Sequence, residues 1–387
     1  MPESDVTRPL AGRRIGILTA SASRLGGGVF EAVVSHAEML GALGAEPIVL
    51  ALEDPCSKAD RGRFGATPVI TCPVVGPRKI GFAPGLTKAL LRADLACLHL
   101  HGIWMYPSAA ASRWAAATGK PYLISPHGML DPWITGRGTA KKAVAKVGYE
   151  RQSWARATAF HALTGSEAAD IVRETGRREI HVVPNAGPPP RVQHCRSFPA
   201  PVMVYIGRIH EKKNLVSLVD GWFAARRPAG ARLVIAGWGA AREVAQLRDA
   251  LAHGDGSAEY VGPVFGADKQ AAINSARFVV LPSFSEGLPM AMLEAWASGV
   301  PTLMTAACNL PEGFSEGAAL ECGTSPEALS AAITRALAVG GAEWQAMALA
   351  ATNCAQRHFS PDAVARAWAG IYARAIGVTR ADGSVPS

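Results

Sequence analysis

The chain contains no C-x-x-C, no G-x-G-x-x-G and no uncharged apolar run of the roughly 18 residues that a bilayer span needs. Each absence closes a class. The seven cysteines, at 56, 72, 97, 195, 308, 322 and 354, are odd in number and scattered. That spacing argues for reduced thiols and against a disulfide framework or a zinc site. Without the glycine fingerprint, a dinucleotide site is not expected. The apolar run at 15–20 is too short for a secretory signal, and the chain reads as cytoplasmic. Charge is modest at 18%, hydrophobic content is 49%, and glycine and proline number 40 and 27, a globular composition.

The charge present is uneven. Residues 1–195 hold 23 Lys and Arg against 15 Asp and Glu, whereas 196–387 hold 16 of each. Such asymmetry predicts an anionic partner for the first half. No recognised nucleic-acid motif accompanies it, so nucleic acid is not expected.

The 387 residues suit two α/β domains. Apolar runs at 13–21, 47–52, 94–100, 121–125, 159–164 and 180–183 read as strands alternating with helical patterns. Residues 184–201 are the richest Pro/Gly stretch and the best linker. The pattern restarts with strands at 201–206, 232–236, 259–262, 278–281 and 301–305. Helices are predicted at 214–227, 240–252, 267–275, 289–298, 326–338 and 342–357. The expected organisation is a doubly wound domain at 1–190 and a second at 191–360. A last helix at about 361–377 should return to pack on the first. Ligands in such sheets sit beyond the carboxyl ends of the strands, so two facing domains place the site in a cleft between them.

The most informative stretch is Ser283–Pro301, which follows a buried-strand pattern at 278–281 and passes through Glu286-Gly287-Leu288-Pro289 into a helix. Pro289 suits the first turn, where a missing N–H costs nothing. A strand, a glycine-bearing turn and a helix N-terminus together make an anion site. Glu286 and Glu294 frame it, and carboxylates there favour hydroxyl-rich groups such as a sugar and a ribose. After the strand at 201–206 comes Gly207-Arg208-Ile-His-Glu-Lys-Lys213. Arg208 and Lys213, aimed at the same edge, describe a diphosphate site.

Gly-Arg, then Lys, then Glu, seven residues and Glu in a Ser-Glu-Gly setting resembles the retaining glycosyltransferases of family 4, also called group 1. That resemblance implies the GT-B fold, two Rossmann-like domains facing across a cleft, the second holding a nucleotide sugar. It implies that Arg208 and Lys213 hold the donor diphosphate, Glu286 contacts the transferred sugar and Glu294 binds the nucleotide ribose. Backbone amides of Gly287 and Leu288 would support sugar or phosphate oxygens. Pro289 stands where many relatives have a glycine and offers no amide. The stretch 260–265 lies where the family holds the base, mostly through backbone.

In the first half, Gly26-Gly27-Gly28 follows the first strand, and Gly27 and Gly28 best match a glycine pair near donor phosphate and acceptor. His127, in Ser125-Pro-His-Gly-Met-Leu-Asp-Pro-Trp133, ends another strand, where relatives place a histidine against the donor sugar. That run also looks like a subset that builds bacterial surface or exported polysaccharide. His101 either lines the acceptor side or packs in the core.

The chain contains no Asp-x-Asp, so protein cations would take a metal's place, and neither a divalent ion nor another cofactor is expected. No nucleophile stands out. Front-face substitution is the implied chemistry, the departing diphosphate helping to deprotonate the acceptor. The acceptor would be lipid-linked or an oligosaccharide. Residues 133–156 interleave Arg137, Lys141, Lys142, Lys146, Arg151 and Arg156 with Trp133, Tyr149 and Trp154, a pattern suited to an anionic membrane surface. The expected placement is therefore cytoplasmic, with peripheral contact at the inner face of the membrane. Alternatives are an epimerase or phosphorylase on this architecture, and a non-catalytic nucleotide-sugar sensor.

Overall fold

The structure is a computed structural model that describes residues 10–135, 143–190 and 197–377. It divides into two compact units. One runs to Asn185 and resumes at Val364; the other is Ala186–Ala363.

The first unit is built on a seven-stranded sheet ordered β3-β2-β1-β4-β5-β6-β7. Its strands are β1 (Arg14–Thr19), β2 (Glu46–Leu52), β3 (Val69–Cys72), β4 (Cys97–His101), β5 (Tyr122–Ser125), β6 (Ala159–Ala162) and β7 (Ile180–Val182). The second unit has six, β8 (Val202–Ile206), β9 (Arg232–Ala236), β10 (Ala258–Gly262), β11 (Phe278–Leu281), β12 (Thr302–Met304) and β13 (Ala319–Glu321), ordered β10-β9-β8-β11-β12-β13. Every pairing is parallel. Strands covered on both faces read as continuous apolar runs, and the central strands here are nearly all buried. In each sheet the order reverses once, between β1 and β4 and between β8 and β11. Crevices open at such switch points.

The second unit's core holds Trp222, Trp296 and Trp344, all sealed from solvent. Burying each removes about 200 Å² from water, worth ~5 kcal/mol. Each indole N–H is satisfied: Trp222 donates to Ser257 Oγ (2.9 Å), Trp296 to Thr302 Oγ1 (3.1 Å) and Trp344 to the Arg277 carbonyl (2.8 Å). The helix Pro326–Ala338 starts as its sequence dictates. Pro326 fills the first turn, and Ser325 Oγ accepts the Ala328 N–H at 3.2 Å.

The helix Pro361–Ala375 carries Trp368 and Tyr372 into the first unit. Trp368 packs 4.7 Å from His36 and 4.6 Å from His161, centroid to centroid. Among the described residues no helix is long and apolar enough to cross a membrane.

Candidate functional site

At the switch point of the second sheet, the loops after β8 and β11 enclose a pocket of about 310 Å³. Gly207 and Lys213 come from the first loop, and Glu286, Leu288 and Pro289 from the second. Lys213 Nζ is ion-paired with Glu286 Oε1, which also accepts from Ser283 Oγ at 2.5 Å. Both partners are largely shielded from solvent, so the pair is held rather than loosely solvated. Arg208, by contrast, is exposed and not part of the pocket lining.

The Glu286 loop is clamped from below. Asn309 sits in the left-handed region (φ 57°) and donates from Nδ2 to the carbonyls of Glu286 (2.7 Å) and Gly287 (3.3 Å). The Glu286 N–H donates to Ala307 O at 3.1 Å, and Thr305 Oγ1 donates to Ser283 O at 2.7 Å. The amides of Gly287 and Leu288 are left without an acceptor among the described residues. The helix Met290–Ala297 follows, with Pro289 as its N-cap. Two free amides and a helix N-terminus form the positive pole read from the sequence.

Glu294 is not in the pocket lining. It reaches the pocket through Lys269, its ion-pair partner at 2.5 Å, which does line it. Sequence reasoning missed Lys269: it lies on the helix Gly266–Ser275, and no spacing links it to Glu294. Trp238 was also missed. It is 53% exposed, lies 5.8 Å from the 64%-exposed Phe265, and both line the pocket. Two large exposed aromatics at a pocket mouth are a stacking platform for a flat ring. Gly237, at φ 156°, lets this loop cross the β8 loop, since a Cβ there would lie 1.7 Å from Gly207 O.

In the first unit, the β1 loop turns through Gly27 (φ 55°, ψ −131°), a conformation that favours glycine, into the helix Gly28–Ala42. Open space surrounds both Gly27 and Gly28. Ser21 and Ser23 donate to Asp54 (2.7 and 2.9 Å), and the Arg24 guanidinium pairs with Asp60. That guanidinium holds the Asp60 carboxyl at about 2.

His127 follows β5 with φ 54°, a strained position for a non-glycine residue. Its turn is fixed by buried Glu167, which accepts from Gly128 N–H (2.6 Å) and Leu163 N–H (2.8 Å). Nε2 of His127 meets Nδ1 of His101 at 2.9 Å. Burial lowers the His127 pKa to about 4, so its ring is neutral at pH 7.

Behind His101 lies a layer of buried histidines. His161 Nε2 contacts the Val183 carbonyl (2.7 Å), which can only accept. His161 therefore carries its proton on Nε2, and its Nδ1 accepts from Ser125 Oγ (2.7 Å). Ser125 then accepts from His99 Nε2 (2.7 Å), Tyr372 O–H donates to His99 Nδ1 (2.7 Å), and His36 Nε2 donates to Tyr372 (2.7 Å). Burial lowers His36 and His161 to about 3 and His99 and His101 well below the usual value. Neutral rings in one proton order satisfy the whole chain. Ring nitrogens of His36, His99 and His101 lie within 4.8 Å of one another, the one group of His, Cys, Asp or Glu among the described residues that could converge on a metal ion. Hydrogen bonds to Tyr372 already occupy two of the three rings.

Several groups of the basic aromatic stretch are engaged within the first unit. Trp154 is buried, Tyr149 donates to Trp104 O (3.0 Å), Lys146 pairs with Glu174 (3.3 Å) and Arg156 donates to Ser112 (3.0 Å). These groups serve the fold because the segment packs its aromatic side inward. Arg151 and Arg156 stay exposed, while Arg137, Lys141, Lys142 and the Trp133 side chain lie outside the described residues. Glu150 is fully buried, accepts from Trp104 N–H at 2.5 Å, and is pushed by desolvation to about 7.

Residues 200–338 match the family model for glycosyl transferases group 1, and residues 27–186 match that for a glycosyl transferase 4-like domain. A search of curated proteins finds no match. Among solved structures, Anabaena Alr3699/HepE in complex with UDP-glucose is similar at TM-score 0.65 and 15% identity, over 94% of this chain and 99% of that one. The lipopolysaccharide outer core galactosyltransferase WaaB is similar at 0.66 and 18%, over 93% and 99%. Sucrose-phosphate synthase from Thermosynechococcus elongatus is similar at 0.67 and 17%, over 95% and 100%. At these identities the likeness is one of fold, the GT-B arrangement of two parallel sheets.

Proposed function

The chain belongs to the group 1 glycosyltransferases, and from that premise we propose that it moves a hexose from a nucleoside-diphosphate sugar, with retention, to a lipid-linked or oligosaccharide acceptor in surface-polysaccharide assembly. The observation that carries the donor reading is the pocket at the β8/β11 switch point. It combines Lys213, Lys269, two free amides and a helix N-terminus with the carboxylate of Glu286, while Glu294 stands behind it, paired with Lys269. Cations and amides suit a diphosphate, and carboxylates suit hydroxyls. Trp238 and Phe265 would stack on the base, and Arg208 is free to swing onto a phosphate oxygen.

Glu286 balances Lys213. Incoming diphosphate would share or take over the lysine and release the carboxylate to a sugar hydroxyl. A carboxylate held by Ser283 and turned to a sugar hydroxyl is poorly placed as a nucleophile, which supports front-face substitution over a glycosyl-enzyme. Lys213, Lys269 and Arg208 would carry the leaving-group charge without a metal ion. His127 would donate to a substrate hydroxyl. Gly27 and Gly28, surrounded by open space, would allow backbone approach to substrate.

HepE is seen with UDP-glucose, so UDP-sugars head the donor panel. The test is a thermal-shift panel of UDP-, GDP- and ADP-sugars, followed by nucleotide release with lipid-linked acceptors, with and without EDTA. Stabilisation lost in Lys213→Ala and EDTA-resistant release support the reading. No stabilisation by any donor, or activity restored only by manganese, refutes it. Exposed Val144 and Val147 beside Arg151 would contribute any membrane contact. Sedimentation with anionic vesicles at low salt would check this, and no binding there removes it.

A further inference from the structure

His101 and His127 share one hydrogen bond, and the structure constrains which ring donates. His101 is 3% exposed, and its Nε2 is sealed from solvent with no partner among the described residues. Its Nδ1 meets His127 Nε2 at 2.9 Å. A neutral ring carries a single proton. If His127 donated, the proton of His101 would sit on Nε2, a buried N–H with no acceptor. If His101 donates, its Nε2 is only a bare lone pair. A buried orphan N–H is the rarer and costlier arrangement, as backbone groups show. The surroundings cannot relieve it by protonation, since desolvation holds both rings neutral.

We infer that His101 is a positioning residue: it donates from Nδ1 to His127 Nε2 and so fixes His127 as the Nδ1–H tautomer, whose outward N–H is the donor offered to substrate. Among the described residues no group takes the Nδ1 of His127, and that atom is not among the sealed, unpartnered ones. The ring therefore has one nitrogen fastened inward and the other available. The left-handed backbone at His127 and the Glu167 clamp on the next residue hold the ring's base still. His99 contributes at one remove. Its ring centroid lies 4.2 Å from that of His101, and its own tautomer is fixed by Ser125 and Tyr372.

The substrate role of His127 rests on the proposed transferase reading, but the tautomer does not. The first arm is therefore made on the whole, ligand-free protein. Two-bond ¹H–¹⁵N correlation of ¹⁵N-histidine protein, with His127→Gln for assignment, should show a protonated Nδ1 and a bare Nε2 for His127. The opposite pattern overturns the inference, whatever the enzyme does.

The second arm is kinetic. His101→Leu should lower kcat about tenfold or more with little change in donor KM, the loss of one oriented hydrogen bond in the transition state. His101→Asn, whose amide can stand near the Nδ1 position, should restore most of that loss. Equal loss in both variants reduces His101 to a packing residue and overturns its positioning role. If the leucine variant does not fold, the spectrum of the unsubstituted protein still decides. If no nucleotide sugar binds at all while His127 shows Nδ1–H, the transferase reading fails and the tautomer assignment stands.

Discussion

Acid should unfold this protein steeply, and the histidine layer sets how steeply. Five histidines of the first unit, His36, His99, His101, His127 and His161, are held neutral by burial, with pKa values at or below about 4 where a value is given, against 6.5 when unfolded. Between those limits the unfolded chain binds protons that the folded chain refuses, so stability falls as pH falls. From pH 7.5 to 5.5 each such ring costs ~1.4 kcal/mol, about 7 kcal/mol for the five. Glu150 opposes this. Its carboxyl is raised from 4.5 to about 7, so it takes up a proton in the folded state and returns ~2 kcal/mol over the same interval. The Asp60 and Asp255 carboxyls, held at about 2, titrate below it. The net loss of about 5 kcal/mol rivals a domain's whole stability of ~5–15 kcal/mol. For a unit of this size the melting temperature should drop by roughly 10–20 °C. Circular-dichroism melts at the two pH values measure it, and hydrogen exchange should place the first loss of protection within residues 10–185 and 364–377. A shift smaller than about 3 °C would mean that the rings are not neutral as described.

Four substitutions extend the reasoning. Glu286→Gln leaves Lys213 uncompensated, so calorimetry should show the nucleoside diphosphate binding a few-fold tighter while transfer falls at least about a hundredfold; weaker diphosphate binding would contradict the ion-pair reading. Glu150→Gln removes a buried charge and should raise stability at pH 8 by up to ~3 kcal/mol, with no gain at pH 4.5, as followed by denaturant melts. Gly237→Ala cannot be seated against Gly207 O and should cost more than ~3 kcal/mol or abolish soluble expression; a normal melt would refute the crossing described. Asn309→Ala frees the Glu286 loop, costing ~1–2 kcal/mol and raising donor KM; an unchanged KM would show that the clamp has no part in binding.

Much of the fold was legible because parallel strands buried on both faces are short apolar runs between turn residues. β9 and β11 stand at the residues their patterns indicate. β3 and β13, each at a sheet edge, were not read, whereas the edge strands β7 and β10 were. At the pocket, Lys213 and Glu286 could be nominated because each follows an apolar strand in a short motif. Lys269, Trp238 and Asn309 could not. Their significance comes from elements brought together only by the fold. The H-x-H of β4 places His99 and His101 on one face by simple alternation, but His36 and Tyr372 join them from distant helices. The composition of residues 143–156 does not by itself separate two placements. A helix that packs aromatics inward and keeps some cations outward has the same composition as one lying on a membrane.

The return of Tyr372 to the first unit has a consequence for biogenesis. A ribosome releases the seven strands of that unit long before it releases the tyrosine that completes their polar seam. The intervening unit is continuous in sequence and can finish alone. The earlier-made half must wait, its imidazoles short of their phenolic partner, until the helix Pro361–Ala375 has followed the whole intervening unit.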